Sequence, residues 1–127
     1  MFKLKRVYDA AENADGARFL IDRLWPRGIR KANLKIDGWL KELGPSDKLR
    51  HWFGHDPKRW ETFRERYFAE LDSKREIWKT LVQAGRRETV TLIYSSHDED
   101  HNNAVALKDY LESKMKRANS SRNKRAA

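Results

Sequence analysis

The run Arg18-Phe19-Leu20-Ile21-Asp22-Arg23-Leu24-Trp25-Pro26-Arg27-Gly28 limits what this chain can fold into more than any other stretch. Its apolar residues Phe19, Leu20, Ile21, Leu24 and Trp25 follow one another too closely for a half-exposed strand. They form the near-continuous pattern of a strand covered on both faces. Asp22 and Arg23 stand inside that run. An unpaired charge taken out of water costs several kcal/mol, so each must be ion-paired, hydrogen-bonded or placed at the mouth of a cleft. In a regular strand the two side chains point to opposite faces and need not pair with each other.

The remaining elements can be placed around this strand. Phe2 to Tyr8 alternates charges with Leu4 and Val7, which predicts a short strand at or near a sheet edge. Asp15-Gly16 marks a tight turn in the polar connection that follows. Asp37 to Leu43 reads as a short helix with Trp39, Leu40 and Leu43 inward, ended by Gly44-Pro45. Ser46 is the N-cap of a second helix containing Leu49, Trp52 and Phe53, which Gly54-His55 breaks. Asp56-Pro57 starts a third, striped by Trp60, Phe63, Tyr67 and Leu71. A break at Asp72-Ser73, with Ser73 and Glu76 at capping-box spacing, begins a fourth, closed by Gly85. Thr89 to Tyr94 is a β-branched strand expected near the sheet centre, and a last helix runs from about His101 to Met115.

A helical crossover between two buried strands implies parallel pairing. The expected fold is therefore a small single α/β domain over residues 1–115, with a few-stranded, mainly parallel sheet covered by about five helices. In such sheets ligands bind beyond the carboxyl ends of the strands. The first buried strand delivers Asp22, Arg23, Trp25 and Arg27 there. The last delivers Tyr94, Ser95, Ser96, His97 and Asp98, followed by His101, Asn102 and Asn103 at a helix start. Arginine forks and helix N-termini both attract anions, so an anionic small molecule is the expected ligand.

Charge and cysteine content narrow the partners. The formal charge is +9, yet six of the positive residues, Lys114, Lys116, Arg117, Arg122, Lys124 and Arg125, follow the last acid, Glu112, and without them the body carries only +3. The segment 116–127 is read as a basic, disordered tail, either solubilising or supplying sequence-independent phosphate contacts to nucleic acid through Lys116, Arg117, Arg122, Lys124 and Arg125. The absence of cysteine excludes disulfides, zinc-thiolate sites and a cysteine nucleophile. No signal peptide or membrane-spanning run is visible, so a cytoplasmic protein without a membrane partner is expected.

Several candidates carry a structural reading beside the functional one. Trp25 and Trp52 suit core packing as well as stacking on a base or sugar. Asp56 next to His55 resembles an acid–base pair but also serves as N-cap before Pro57. His97 and His101 are four apart but straddle a helix start, so no metal site is expected. Ser95 and Ser96 lack a nucleophile-elbow context, and no glycine-rich phosphate loop occurs, so no cofactor is expected.

Asp15-Gly16 with Arg18, Asp22 to Gly28, Trp39-Leu40-Lys41, Pro45-Ser46, Leu49-Arg50, Trp52-Phe53, His55-Asp56-Pro57, Trp60, Phe63, Tyr67, Glu70-Leu71, Val90-Thr91-Leu92, Tyr94, Asp98 and His101-Asn102 together resemble the YeaO-like family, domain-of-unknown-function family 488. The likeness extends over Phe2 to Met115 and implies a compact intracellular α/β domain without an established activity. Asn103 stands where the family's His-Asn-His sequence has its second histidine.

The expected function is binding of a phosphorylated small molecule or nucleotide at the strand ends, with transfer or hydrolysis as possible chemistry. Asp22, His55, Asp98 and His101 are the proton-transfer candidates. Arg23, Trp25, Arg27, Tyr94, Ser95, Asn102 and Asn103 are the binding candidates. The alternative is a non-enzymatic nucleic-acid-binding or regulatory module that uses the tail.

Overall fold

Four short strands, β1 (Phe2–Arg6), β2 (Ala17–Leu20), β3 (Gly38–Trp39) and β4 (Val90–Tyr94), form one sheet in the order β1-β4-β2-β3 in the computed structural model. Every neighbouring pair is parallel, with Leu4 opposite Leu92 and Phe19 also opposite Leu92. Residues 1–126 are described, and side chains through Lys116. The tail residues Arg117, Arg122, Lys124 and Arg125 therefore lie outside the described side chains, and Lys116 is exposed.

Four α-helices accompany the sheet: α1 (Asp47–Phe53), α2 (Trp60–Asp72), α3 (Arg75–Arg87) and α4 (Asn103–Ala126). Among the described residues no helix is long and apolar enough to cross a membrane. The fifth expected helix, Asp37 to Leu43, does not form. Its first half is β3, and Lys41–Leu43 is a single 3-10 turn. Hydrogen bonds from Asp37 N–H to Arg18 O (2.7 Å) and Leu40 N–H to Leu20 O (2.8 Å) show why. The open edge of β2 takes these backbone groups, and a short helix has little stability of its own to oppose that pairing.

Two other local readings are corrected. Gly85 lies inside α3 instead of ending it, and a Cβ there would sit 2.6 Å from the Phe2 ring, so this glycine lets β1 approach the helix. The break between α2 and α3 is at Ser73 as expected, but Ser73 is the C-cap of α2, its hydroxyl donating to Glu70 O at 2.8 Å. Lys74 takes the N-cap place of α3 without a side-chain bond. Other signals are met as read. Ser46 Oγ accepts from Leu49 N–H at the start of α1, and Gly54 ends it at φ 54°. Asp56 caps the turn at Pro57 by accepting from Lys58 N–H.

All four helices contribute to one core. Phe63, Tyr67 and Leu71 of α2, Trp78 and Leu81 of α3, and Leu107 and Leu111 of α4 meet Val90, Leu92 and Tyr94 of the sheet. Each fully buried apolar side chain of this size contributes roughly 1.5–3 kcal/mol. The alternate residues Leu20 and Ile93, with Val7, form a second small core under loops, flanked by half-buried Trp25, Ile29, Leu34, Ile36 and Trp39. The sheet is thus covered by helices on one face and by irregular chain on the other. Leu24 departs from the apolar pattern that first suggested a longer strand, because β2 ends at Leu20 and Leu24 is 56% exposed.

Candidate functional site

A cavity of about 670 Å³ opens at the carboxyl ends of the sheet. Its walls come from Arg6 at the end of β1 and Tyr8 beyond it, the loop after β2, the loop and helix start after β4, and α1 with the turn beyond it. Its size falls within the roughly 300–1,000 Å³ usual for small-molecule sites.

Asp22 is the centre of one wall. Ile21 N–H still bonds to Ile93 O at 3.1 Å, which holds the end of the β2 segment beside β4. The Asp22 carboxylate accepts from Ser95 N–H (2.9 Å), Ser95 Oγ–H (2.7 Å) and Asn103 Nδ2–H (3.1 Å), so it ties the end of β4 and the start of α4 to that loop. Burial pushes its pKa above the ordinary value, while the bonds from Ser95 and Asn103 pull the other way. Arg23 turns away from the cavity. Its guanidinium donates to Pro45 O (2.8 Å) and Gly44 O (2.9 Å), and Gly44 is packed so close that a Cβ would lie 2.8 Å from Arg23 N. Arg23 is therefore a staple between two loops rather than a wall residue. Trp25 donates its indole N–H to Ile29 O at 2.6 Å, meets Trp39 edge-on at 5.3 Å and still lines the cavity. Arg27 is exposed on the rim, and its carbonyl accepts from Tyr8 Oη–H at 3.0 Å.

On the opposite wall, Asn102 caps α4 by accepting from Val105 N–H at 3.0 Å and donates to Asp98 O at 2.8 Å. Asp98 does not line the cavity. One of its oxygens accepts from the N–H groups of Asp100 (2.9 Å) and His101 (3.0 Å), and the other meets His101 Nδ1 at 3.1 Å. The Asp100 N–H bond, joined by those from His101, holds its carboxyl below the ordinary carboxylate value against a smaller effect of burial. Asp98 thus orients His101, whose ring also packs edge-on against Trp60 at 5.4 Å. His97 lines the cavity beside Arg6: its Nδ1 is 3.3 Å from that guanidinium, which can only donate, so Nδ1 accepts. Among the described residues no group of three or more His, Cys, Asp or Glu could hold a metal ion. Tyr94 is buried below the cavity and does not line it, and burial raises its pKa.

His55 reaches the cavity from the far side through an unusual backbone. It follows Gly54 and is the one non-glycine residue with positive φ (58°) among the described residues, a conformation that stores strain. Arg6 and Arg50 are wall residues that the sequence reading passed over. Arg6 is the last residue of an edge strand and bonds to the carbonyls of Ser96 (3.0 Å) and Ser95 (3.3 Å). The strand-end rule applied to β1 would have found it. Arg50, on α1, pairs with exposed Asp47 at 3.2 Å, and its position across the cavity has no signal in the sequence.

The chemistry of the walls is one-sided. Three arginines, Arg6, Arg27 and Arg50, and three histidines, His55, His97 and His101, face the space with a single carboxylate, Asp22. The start of α4, marked by Asn102 and Asn103, adds the positive end of a helix dipole. Phe53 and Phe63, stacked with centroids 4.4 Å apart, supply an apolar base beside Pro45. Such a cavity can hold an anion by charge-assisted hydrogen bonds and an apolar group by contact.

Comparison with known proteins gives a consistent family. A family model described as "Inactive DUF488-N3 subclade" matches residues 1–127. The chain is 46% identical over 109 residues to the uncharacterized protein YeaO of Escherichia coli (strain K12), covering 86% of this chain and 95% of that protein. It is 34% identical over 109 residues to uncharacterized protein Mb3100c of Mycobacterium bovis, covering 86% of this chain and 92% of that one. Uncharacterized protein Rv3073c of Mycobacterium tuberculosis (strain ATCC 25618 / H37Rv) matches with the same identity and coverage. No solved structure matches the chain significantly.

Proposed function

Since the chain belongs to the YeaO-like DUF488 family, whose matched subclade is described as inactive, we propose that it acts by recognition, binding a phosphorylated small molecule in the cavity without transforming it. The observation that carries this reading is the imbalance of formal charge on the cavity wall, three arginines against the one carboxylate of Asp22 among the described residues. The Asp22 oxygens are already engaged by three neutral donors from Ser95 and Asn103. A dianionic phosphate would meet the guanidinium groups of Arg27 and Arg50 and the start of α4. Charge-assisted hydrogen bonds of this kind contribute about 1.5–3 kcal/mol each.

Transfer or hydrolysis receives less support. The Ser95 hydroxyl donates to Asp22 and is not poised as a nucleophile, and Asp98 is turned to His101 and off the cavity wall.

Calorimetric titration with ribose 5-phosphate at low ionic strength tests the reading. Saturable binding that weakens as salt is raised is expected, since the attraction is between charges. At ligand concentrations about 100 times Kd the folded state should gain about 2.7 kcal/mol. No heat and no thermal shift with millimolar ribose 5-phosphate, nucleoside monophosphates or inorganic phosphate would overturn it.

A further inference from the structure

Large apolar side chains exposed to water are few among the described residues: Met1 (65%), Leu24 (56%) and Tyr8 (49%). Two of the three, Leu24 and Tyr8, stand on the wall of the same cavity. A single exposed leucine needs no explanation, but convergence of the exposed apolar groups on a cationic cleft does.

Neither side chain is exposed through looseness of its surroundings. Tyr8 is fixed at both ends: its hydroxyl donates to Arg27 O at 3.0 Å, and the Arg6 guanidinium lies 5.0 Å over its ring. Leu24 sits between two anchored neighbours, Arg23 bonded to Gly44 and Pro45 and Trp25 bonded to Ile29. The loop after β2 thus holds Leu24 out on the wall while both flanking side chains are tied down. Adjoining Pro26 is buried and lines the same space. An apolar surface held ordered in water is ready for a flat apolar partner, and its pre-organisation lowers the entropy cost of binding.

Resting on the anion-binding reading above, we propose that the ligand is a nucleoside phosphate whose base lies against Tyr8 and Leu24 at the mouth, with its phosphate on the cationic wall. A sugar phosphate would satisfy the arginines and leave the apolar wall wet. The base supplies what the sugar phosphate lacks, a π-face for stacking on Tyr8 and apolar contact for Leu24.

The test compares AMP with ribose 5-phosphate, which differ by the base alone, on the full chain by calorimetry. AMP should bind about tenfold more tightly in the wild type. Leu24→Ser and, separately, Tyr8→Ala should bring that ratio to within about twofold, with circular dichroism and melting curves confirming that both exposed-site variants fold. A wild-type ratio near one, or a ratio that neither substitution lowers, overturns the assignment of the base while leaving phosphate binding in place. Failure of both probes to bind overturns the anion-binding reading itself, and this proposal with it.

Discussion

Charged side chains gather at two places in this domain, and the two clusters differ in how far their charges are buried and answered. On the loop-covered face of the sheet, Asp15 is buried and accepts from both Arg18 and Lys5. Arg18 also donates to Lys35 O at 2.7 Å, and Thr91 Oγ–H closes the group by donating to Asp15 O at 2.7 Å. At the carboxyl ends of the strands, Arg27 and Arg50 face a cavity, and the one carboxylate there is taken by Ser95 and Asn103. A closed ion network holds structure together, whereas a cationic cluster left open to a cavity has attraction to spare for a ligand.

The largest effect expected from breaking that contrast is at the closed cluster. Asp15→Ala leaves the Arg18 guanidinium buried without its carboxylate and should cost about 3–5 kcal/mol in urea denaturation. Next comes the turn that sets Asp15 in place. Gly16 has φ 64°, and a Cβ would lie 2.2 Å from Thr89 O, so Gly16→Ala should cost about 1–3 kcal/mol by the same measurement.

Acid should separate the clusters as well. Burial alone would raise the pKa of Asp15, but the Glu12 N–H and the Lys5 and Arg18 side chains together lower it to about 2. A folded-state value below the unfolded one, about 3.9, means the unfolded chain takes up the proton first. The contribution, of the order of 2 kcal/mol, is therefore full above about pH 4 and disappears as pH falls toward about 2. Subtracting the pH dependence of Asp15→Asn from that of the wild type should isolate it.

The smallest effect on folding, and a clear one on binding, is expected at the open cluster. Arg50→Gln removes an ion pair to exposed Asp47 and should change stability by less than about 1 kcal/mol. It should weaken ribose 5-phosphate binding about tenfold, because a charge-assisted bond is lost.

What the sequence disclosed follows from the range of each signal. Ser46, Gly54 and Asp56-Pro57 act on backbone groups within a few residues of themselves, and they were readable. The two strand ends that line the cavity are also readable, because an apolar run followed by polar residues marks where a buried strand ends. Arg23 and Leu24 were misplaced because their environment comes from chain far away in sequence, Gly44 and Pro45 for the first and the cavity mouth for the second. Arg50 could not be found, since nothing local tells a helical arginine in solvent from one across a cleft. Asp37 to Leu43 satisfied helical spacing, yet the free edge of β2 offered its backbone a better set of partners.

Which charged cluster an anion chooses is tested most directly by a ¹⁵N-resolved titration of the full chain with ribose 5-phosphate. Saturable chemical-shift changes are expected at Arg6, Leu24 to Arg27, Arg50 to His55 and Ser95 to Asn103, with Asp15, Arg18 and Thr91 unmoved. Changes centred on Asp15 and Arg18, or none at millimolar ligand, would contradict this expectation.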